Sequence, residues 1–247
     1  MKPVVIRILA CILSMLDRCG RSVNLSTSLA NVAATFFSGF LTGTSVNRRG
    51  RRAALLFFAL LAACGGQPKL PPLAPDAVVL AFGDSLTFGI GANAGESYPA
   101  RLEALIGRKV VSAGVPGEAS AGGLARLPAA LDEVKPQLVI LCHGGNDFLR
   151  KLDEAQAANN IRAMVRLARS RGAQVVLIGV PKPGLLPSPA GFYADVAREF
   201  RLPYEETALK KILTDNALKS DLVHPNAAGY ARLAEAIAAL LRKTGAV

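Results

Sequence analysis

The chain has 247 residues, 51% hydrophobic and 19% charged, enough for one sizeable core without a second domain. Its net charge of +11 is concentrated at the front: residues 1–64 hold eight basic side chains and one acidic one, leaving 21 and 17 for the rest. That distribution, with 6% aromatics, no Trp and no basic stripe, argues against nucleic-acid binding.

The first organised segment is Asn47 to Gly66, NRRGRRAALLFFALLAACGG. Arg48, Arg49, Arg51 and Arg52 precede an apolar run, Ala53 to Leu60, and small residues follow, the layout of an export signal. The run is too short to span a bilayer as a helix. Its end, Leu61-Ala62-Ala63-Cys64, resembles the lipobox of bacterial lipoproteins, which implies a lipid on Cys64 and a membrane anchor. A signal cleaved without lipid and a core helix carrying a cysteine are the other readings. Residues 1–46 lie ahead of the point where such a signal begins a chain. The simplest account is a natural start near Val46, with 1–46 a leader that is not translated. Four prolines in Gln67 to Ala77 suit an extended tether, so residues 65–76 read as tether and 77–247 as the folded domain. Cys142 is then the domain's single cysteine, a small buried hydrophobe inside an apolar run.

Within the domain, apolar runs alternate with amphipathic ones. Strands are expected at Ala77–Phe82, Lys109–Ser112, Leu138–Cys142 and Gln174–Val180, with a weaker fifth at Pro203–Glu206. Their unbroken apolar character suits strands covered on both faces. Helical spacing marks Tyr98–Ile106, Leu124–Val134, Gln156–Arg171, Phe192–Arg201 and Asn226–Arg242. This alternation predicts an α/β fold, a three-layer sandwich around a five-stranded parallel sheet, flavodoxin-like in outline. Functional loops of such sheets gather at the carboxyl ends of the strands.

Gly83-Asp84-Ser85 leaves the first strand there. A serine hydroxyl needs a base, and the base needs orienting. The chain has two histidines. His224 stands three residues after Asp221 in SDLVHPNAAGY, beside Pro225 at a helix start. His143 follows the third strand, with Asp147 as its only near carboxylate in sequence, and reads as structural. Oxyanion donors are available in the glycine-rich SAGVPGEASAGG, Ser112 to Gly123, and in the Asn146 amide of HGGNDF. Asp84 and Asp147 read as loop braces, and Glu118 and Ser120 as residues of the cleft rim. Pro181 to Tyr193 is a candidate wall for an acyl pocket. The G-x-S-x-G signature of α/β-hydrolases is absent around Ser85, since residue 87 is Thr.

GDSL, a glycine loop, GGND and DLVHP, in that order, resemble the SGNH (GDSL) hydrolase superfamily over the whole domain. The stretches GLARLPAAL and ESYPARLEALIG are most similar to its bacterial thioesterase I, lysophospholipase and arylesterase subfamily. The resemblance implies Ser85 as nucleophile and Asp221 and His224 as its partners. It also implies an oxyanion hole of the Ser85 N–H, Gly117 and Asn146, with Gly117 rather than Gly114 in the family's glycine position. No cofactor and no metal are implied. The expected activity is hydrolysis of carboxylic esters or thioesters by an exported, membrane-tethered enzyme. Two alternatives keep the fold: a carbohydrate O-acetyl esterase, and a lipid-anchored binding protein without turnover.

Overall fold

The computed structural model describes residues 67–184 and 187–247. The leader 1–46 and the signal 47–64 with Cys64 lie outside the described residues. The sheet is built from β1 (Val78–Gly83), β2 (Lys109–Gly114), β3 (Leu138–Cys142), β4 (Gln174–Ile178) and, after the short hairpin of β5 (Pro181–Lys182) and β6 (Ser188–Pro189), β7 (Tyr204–Glu205). The order across it is β2-β1-β3-β4-β7, all parallel. The chain thus reverses direction beside β1, the switch point where open α/β sheets hold their ligands. Val79 to Phe82 and all of β3 are buried, which is why these runs carry no polar alternation.

The crossovers are α2 (Tyr98–Ile106), α3 (Ser120–Val134), α5 (Glu154–Ser170) and α6 (Gly191–Phe200), and α8 (Ala227–Thr244) closes the domain. Right-handed crossovers put α2 on one face and α3 and α5 on the other. In agreement, α2 packs against α8, and α3 against α5. Helix ends are chemically marked. Asp153 accepts from the N–H groups of Ala155 and Gln156, Asn226 accepts from Gly229, and Gly107 and Gly245 close their helices in the left-handed region. None of the described helices is long and apolar enough to cross a membrane.

The elements expected from spacing are present, with shifted ends. Helix α3 begins at Ser120 rather than Leu124, because its first turn is Ser-Ala-Gly-Gly and shows no apolar period. Strand β4 stops at Ile178 instead of Val180. A Cβ on Gly179 would lie 2.6 Å from the Tyr204 hydroxyl and 3.0 Å from Pro189. Short helices α1 (Ser85–Phe88), α4 (Gly145–Leu149) and α7 (Ala208–Thr214) fall below the length at which periodicity speaks.

Residues 67–76, expected as tether, lie against the domain, so the packed unit begins at Gln67 rather than Ala77. The Leu70 and Leu73 N–H groups donate to the Thr244 and Ala246 carbonyls at 3.0 and 2.8 Å. The Gln67 side chain exchanges two hydrogen bonds with the Tyr204 backbone. Leu73 is buried. The prolines favour an extended path, and this one lies along partners that satisfy it.

Candidate active site

Strands β2, β1 and β3 end flush, with Gly83 in register with Gly114 on one side and Cys142 on the other. Three loops therefore leave the sheet side by side. The middle one turns at once into α1. Asp84 is its N-cap, accepting from the Leu86 N–H at 3.1 Å, and Ser85 is its first residue. Glycine is required at 83: a Cβ there would lie 2.1 Å from the Cys142 carbonyl oxygen and 2.3 Å from Thr87 Oγ1. Burial raises the Asp84 carboxyl above its ordinary range, although His143, the Leu86 and Gly145 N–H groups and the Asn146 amide all oppose that shift.

The partner residues arrive on the segment before α8. Asp221 Oδ1 accepts from the N–H groups of Val223 and His224, both at 2.8 Å, which folds the segment back on itself. Asp221 Oδ2 then lies 2.7 Å from His224 Nδ1, and His224 Nε2 lies 3.0 Å from Ser85 Oγ. Burial would raise the Asp221 carboxyl, but the His224 hydrogen bond and the two N–H donors outweigh it and hold it below the usual range. The two segments are locked together nearby. Tyr230 of α8 donates to the Ile90 carbonyl at 2.8 Å, and Gly91, at φ 97°, lies so close to Ser220 Oγ that a Cβ would meet it at 2.2 Å.

On the β2 side, Val115 accepts from the Glu118 N–H at 3.2 Å around Pro116 and Gly117, the latter at φ 77°. Proline followed by a positive-φ glycine is the sequence of a type II turn. Arg150 donates to the Gly117 carbonyl at 2.6 Å. Gly114, the other glycine weighed from sequence, lies in β2 under α1, where a Cβ would come within 2.2 Å of the Phe88 nitrogen. Among the described residues the N–H groups of Ser85 and Gly117 have no protein acceptor. On the β3 side, Asn146 is almost wholly buried, and its Nδ2 reaches the Glu118 carbonyl at 3.1 Å and Asp84 Oδ2 at 3.3 Å. The amide thus stands between the residue before Ser85 and the residue after Gly117.

Three expectations change. His143 has a carboxylate partner after all: its Nε2 lies 3.2 Å from Glu118 Oε2. The partner is Glu118 rather than Asp147, because β2 and β3 flank the same strand. Glu118 is not a rim residue facing the cleft; it also takes two bonds from Arg126, at 3.1 and 2.8 Å. Ser120 is buried and donates to Asp147 through both its N–H and its hydroxyl, at 2.8 and 2.6 Å. Asp147 does brace its loop in this way, as expected.

Sequence reasoning did not single out Phe88, Val115, Leu149, Leu152 and Leu222. These are five of the seven large hydrophobic residues exposed among those described, and all belong to the segments that carry Ser85, Gly117, Asn146 or Asp221 and His224. Phe192 stacks on Tyr193 with ring centroids 4.2 Å apart and faces Phe148 at 6.2 Å. Leu185 and Leu186 of the same segment lie outside the described residues. No group of three or more potential metal ligands occurs among the described residues.

Residues 81–232 match the model of the GDSL-like lipase/acylhydrolase family. Esterase TesA of Pseudomonas aeruginosa is 33% identical over 192 residues, covering 71% of this chain and 93% of that protein. Thioesterase 1/protease 1/lysophospholipase L1 of Escherichia coli K12 is 30% identical over 156 residues, 60% of this chain and 75% of the relative. The crystal structure of AlinE4, an SGNH-hydrolase family esterase, superposes with a TM-score of 0.55 at 33% identity, covering 69% of this chain and 97% of that one.

Proposed function

Because the chain belongs to the GDSL-like lipase/acylhydrolase family and is a serine hydrolase of carboxylic esters, we propose that it works through an acyl-enzyme on Ser85, served by His224 and Asp221. The observation that carries this reading is the unbroken chain from Ser85 Oγ through His224 to Asp221, at 3.0 and 2.7 Å. Ser85 Oγ attacks the acyl carbonyl carbon while His224 Nε2 takes its proton. Asp221 stays ionised, holds the Nδ1–H tautomer and stabilises the imidazolium. The Ser85 and Gly117 N–H groups and the Asn146 amide receive the oxyanion. Asn146 shares its longer hydrogen bond, the one to Asp84, at that moment. Collapse of the tetrahedral intermediate expels the alkoxide or thiolate, which takes the proton from His224. Water then gives a proton to His224 and attacks the acyl carbon, and Ser85 leaves with its proton restored.

The exposed hydrophobic side chains on the site-bearing segments support an acyl substrate: an aryl or short-to-medium acyl ester, a lysophospholipid or an acyl thioester. Export, cleavage before Cys64 and lipid attachment there belong to the same proposal, supported by the arginines, the apolar run and LAAC. Ser85→Ala is expected to lower kcat for p-nitrophenyl butyrate by about 10⁴-fold or more and to abolish labelling by a fluorophosphonate, with the circular dichroism of wild type. Undiminished turnover in that variant refutes the nucleophile. The same enzyme given acetylated sugars should turn them over far more slowly, and a preference for them moves the reading to the O-acetyl esterase. Intact mass of the natural protein, without lipid on Cys64, refutes the anchor.

A further inference from the structure

Behind the Gly117 and Asn146 loops lies a second histidine–carboxylate pair that the reaction above does not use. His143 is fully buried. Its Nδ1 accepts from the Gly144 N–H at 3.0 Å, so the neutral ring carries its proton on Nε2, aimed at Glu118 Oε2 at 3.2 Å. The ring therefore holds the Asn146 loop with one nitrogen and the Gly117 loop with the other. Tyr193 of α6 fixes the His143 carbonyl at 2.7 Å. Glu118 is held in turn by Arg126, whose guanidinium lies 4.3 Å from the centre of the Phe82 ring and also reaches the Ala113 carbonyl at 3.2 Å. The backbone carbonyl of this same Glu118 accepts from Asn146 Nδ2. His143 is walled off by Gly123, whose Cα face has no room for a methyl group.

We infer that Glu118, held by His143 and Arg126, is a positioning residue that sets the separation of the two oxyanion-hole loops and aims the Asn146 amide. This rests on the reading of Asn146 as an oxyanion donor. The His143 Nε2–Glu118 bond and the bond from Asn146 Nδ2 to the Glu118 carbonyl join the same two loops. Preorganised donors lose their effect when displaced by an ångström. Burial would raise the Glu118 carboxyl, but Arg126 and His143 hold it below the ordinary range, so at neutral pH it is an ionised acceptor for both.

The test is a cycle of Glu118→Ala and Asn146→Ala with p-nitrophenyl butyrate, read as kcat and KM separately. Asn146→Ala alone is expected to lower kcat by about 10²-fold. Glu118→Ala is expected to lower kcat by about tenfold at unchanged KM. In the Asn146→Ala background the Glu118 effect should shrink below about twofold, because its target is gone. Glu118→Gln keeps one acceptor and should recover kcat to within about threefold of wild type. Glu118→Asp, one methylene too short to keep both the His143 and Arg126 bonds, carries the same cycle if the alanine protein does not fold. A full multiplicative loss in the double variant, or kcat unchanged in Glu118→Ala, overturns the positioning role while leaving the oxyanion donor standing. Unchanged kcat in Asn146→Ala removes the donor, and with it the basis of the inference.

Discussion

Asp221→Asn is nearly isosteric, yet the structure expects it to be severe. Asp221 Oδ1 accepts from two backbone N–H groups, both at 2.8 Å. An asparagine must keep its oxygen there, because turning it over would set an NH₂ against two donors. Its Nδ2 then takes the place of Oδ2, 2.7 Å from His224 Nδ1. The amide donates to Nδ1, the imidazole proton moves to Nε2, and His224 becomes a donor to Ser85 where it should accept. Wrong-tautomer variants of this kind lose about 10⁴-fold in kcat. Asp221 keeps 51% of its side-chain surface in water, where solvent competes with the amide. The lower end applies, about 10³-fold or ~4 kcal/mol. Steady-state kinetics with p-nitrophenyl butyrate would read this as a fall in kcat with KM little changed, beside a thermal melt. The ionised Asp221 carboxylate's contribution to stability is present above about pH 4 and is lost as the pH falls through the depressed folded value, so the melting points of wild type and variant should converge in acid. A loss of less than tenfold, or one expressed in KM, refutes the tautomer argument.

Two further outcomes follow from packing. Gly123→Ala puts a Cβ 2.3 Å from His143 Nε2, which helix propensity does not repay. The protein should lose roughly 2–4 kcal/mol in urea denaturation through overpacking and the broken Glu118 bond. Gly191→Ala, at an open position starting α6, should instead gain about 0.4–1 kcal/mol, and equal effects at the two sites would contradict the contact. A chain beginning at Ala77 loses Leu73 and the bonds to Thr244 and Ala246, so its midpoint should fall by roughly 3–10 °C against one beginning at Gln67. An unchanged midpoint would mean that residues 67–76 do not dock in solution.

The parts of the site visible in sequence are those that lie close along the chain. Asp221 and His224 are three residues apart, and their contact needs only a local turn. Gly83-Asp84-Ser85 reads as a strand exit because its apolar run stops there. The Glu118–His143 pair spans 25 residues and was invisible. It depends on β2 and β3 both flanking β1, a fact of sheet order rather than of spacing. The same sheet order explains why Asp147, the nearer carboxylate in sequence, turns away to Ser120. Residues 67–76 misled for another reason. Proline predicts an extended path, but it does not say whether that path lies in water or along the end of a helix.

The equal height of Gly83, Gly114 and Cys142 separates two design problems that many enzymes must solve together. Ser85, Gly117 and Asn146 take their spacing from hydrogen-bonded strands, while Asp221 and His224 come from the folded turn before α8. Under the proposed function, residues such as Leu149 and Leu152, beyond Asn146 along the chain, are the ones to exchange to retune acyl preference while Ser85 keeps its place at the strand end. Directed evolution aimed at new esters has its natural starting library at those tips.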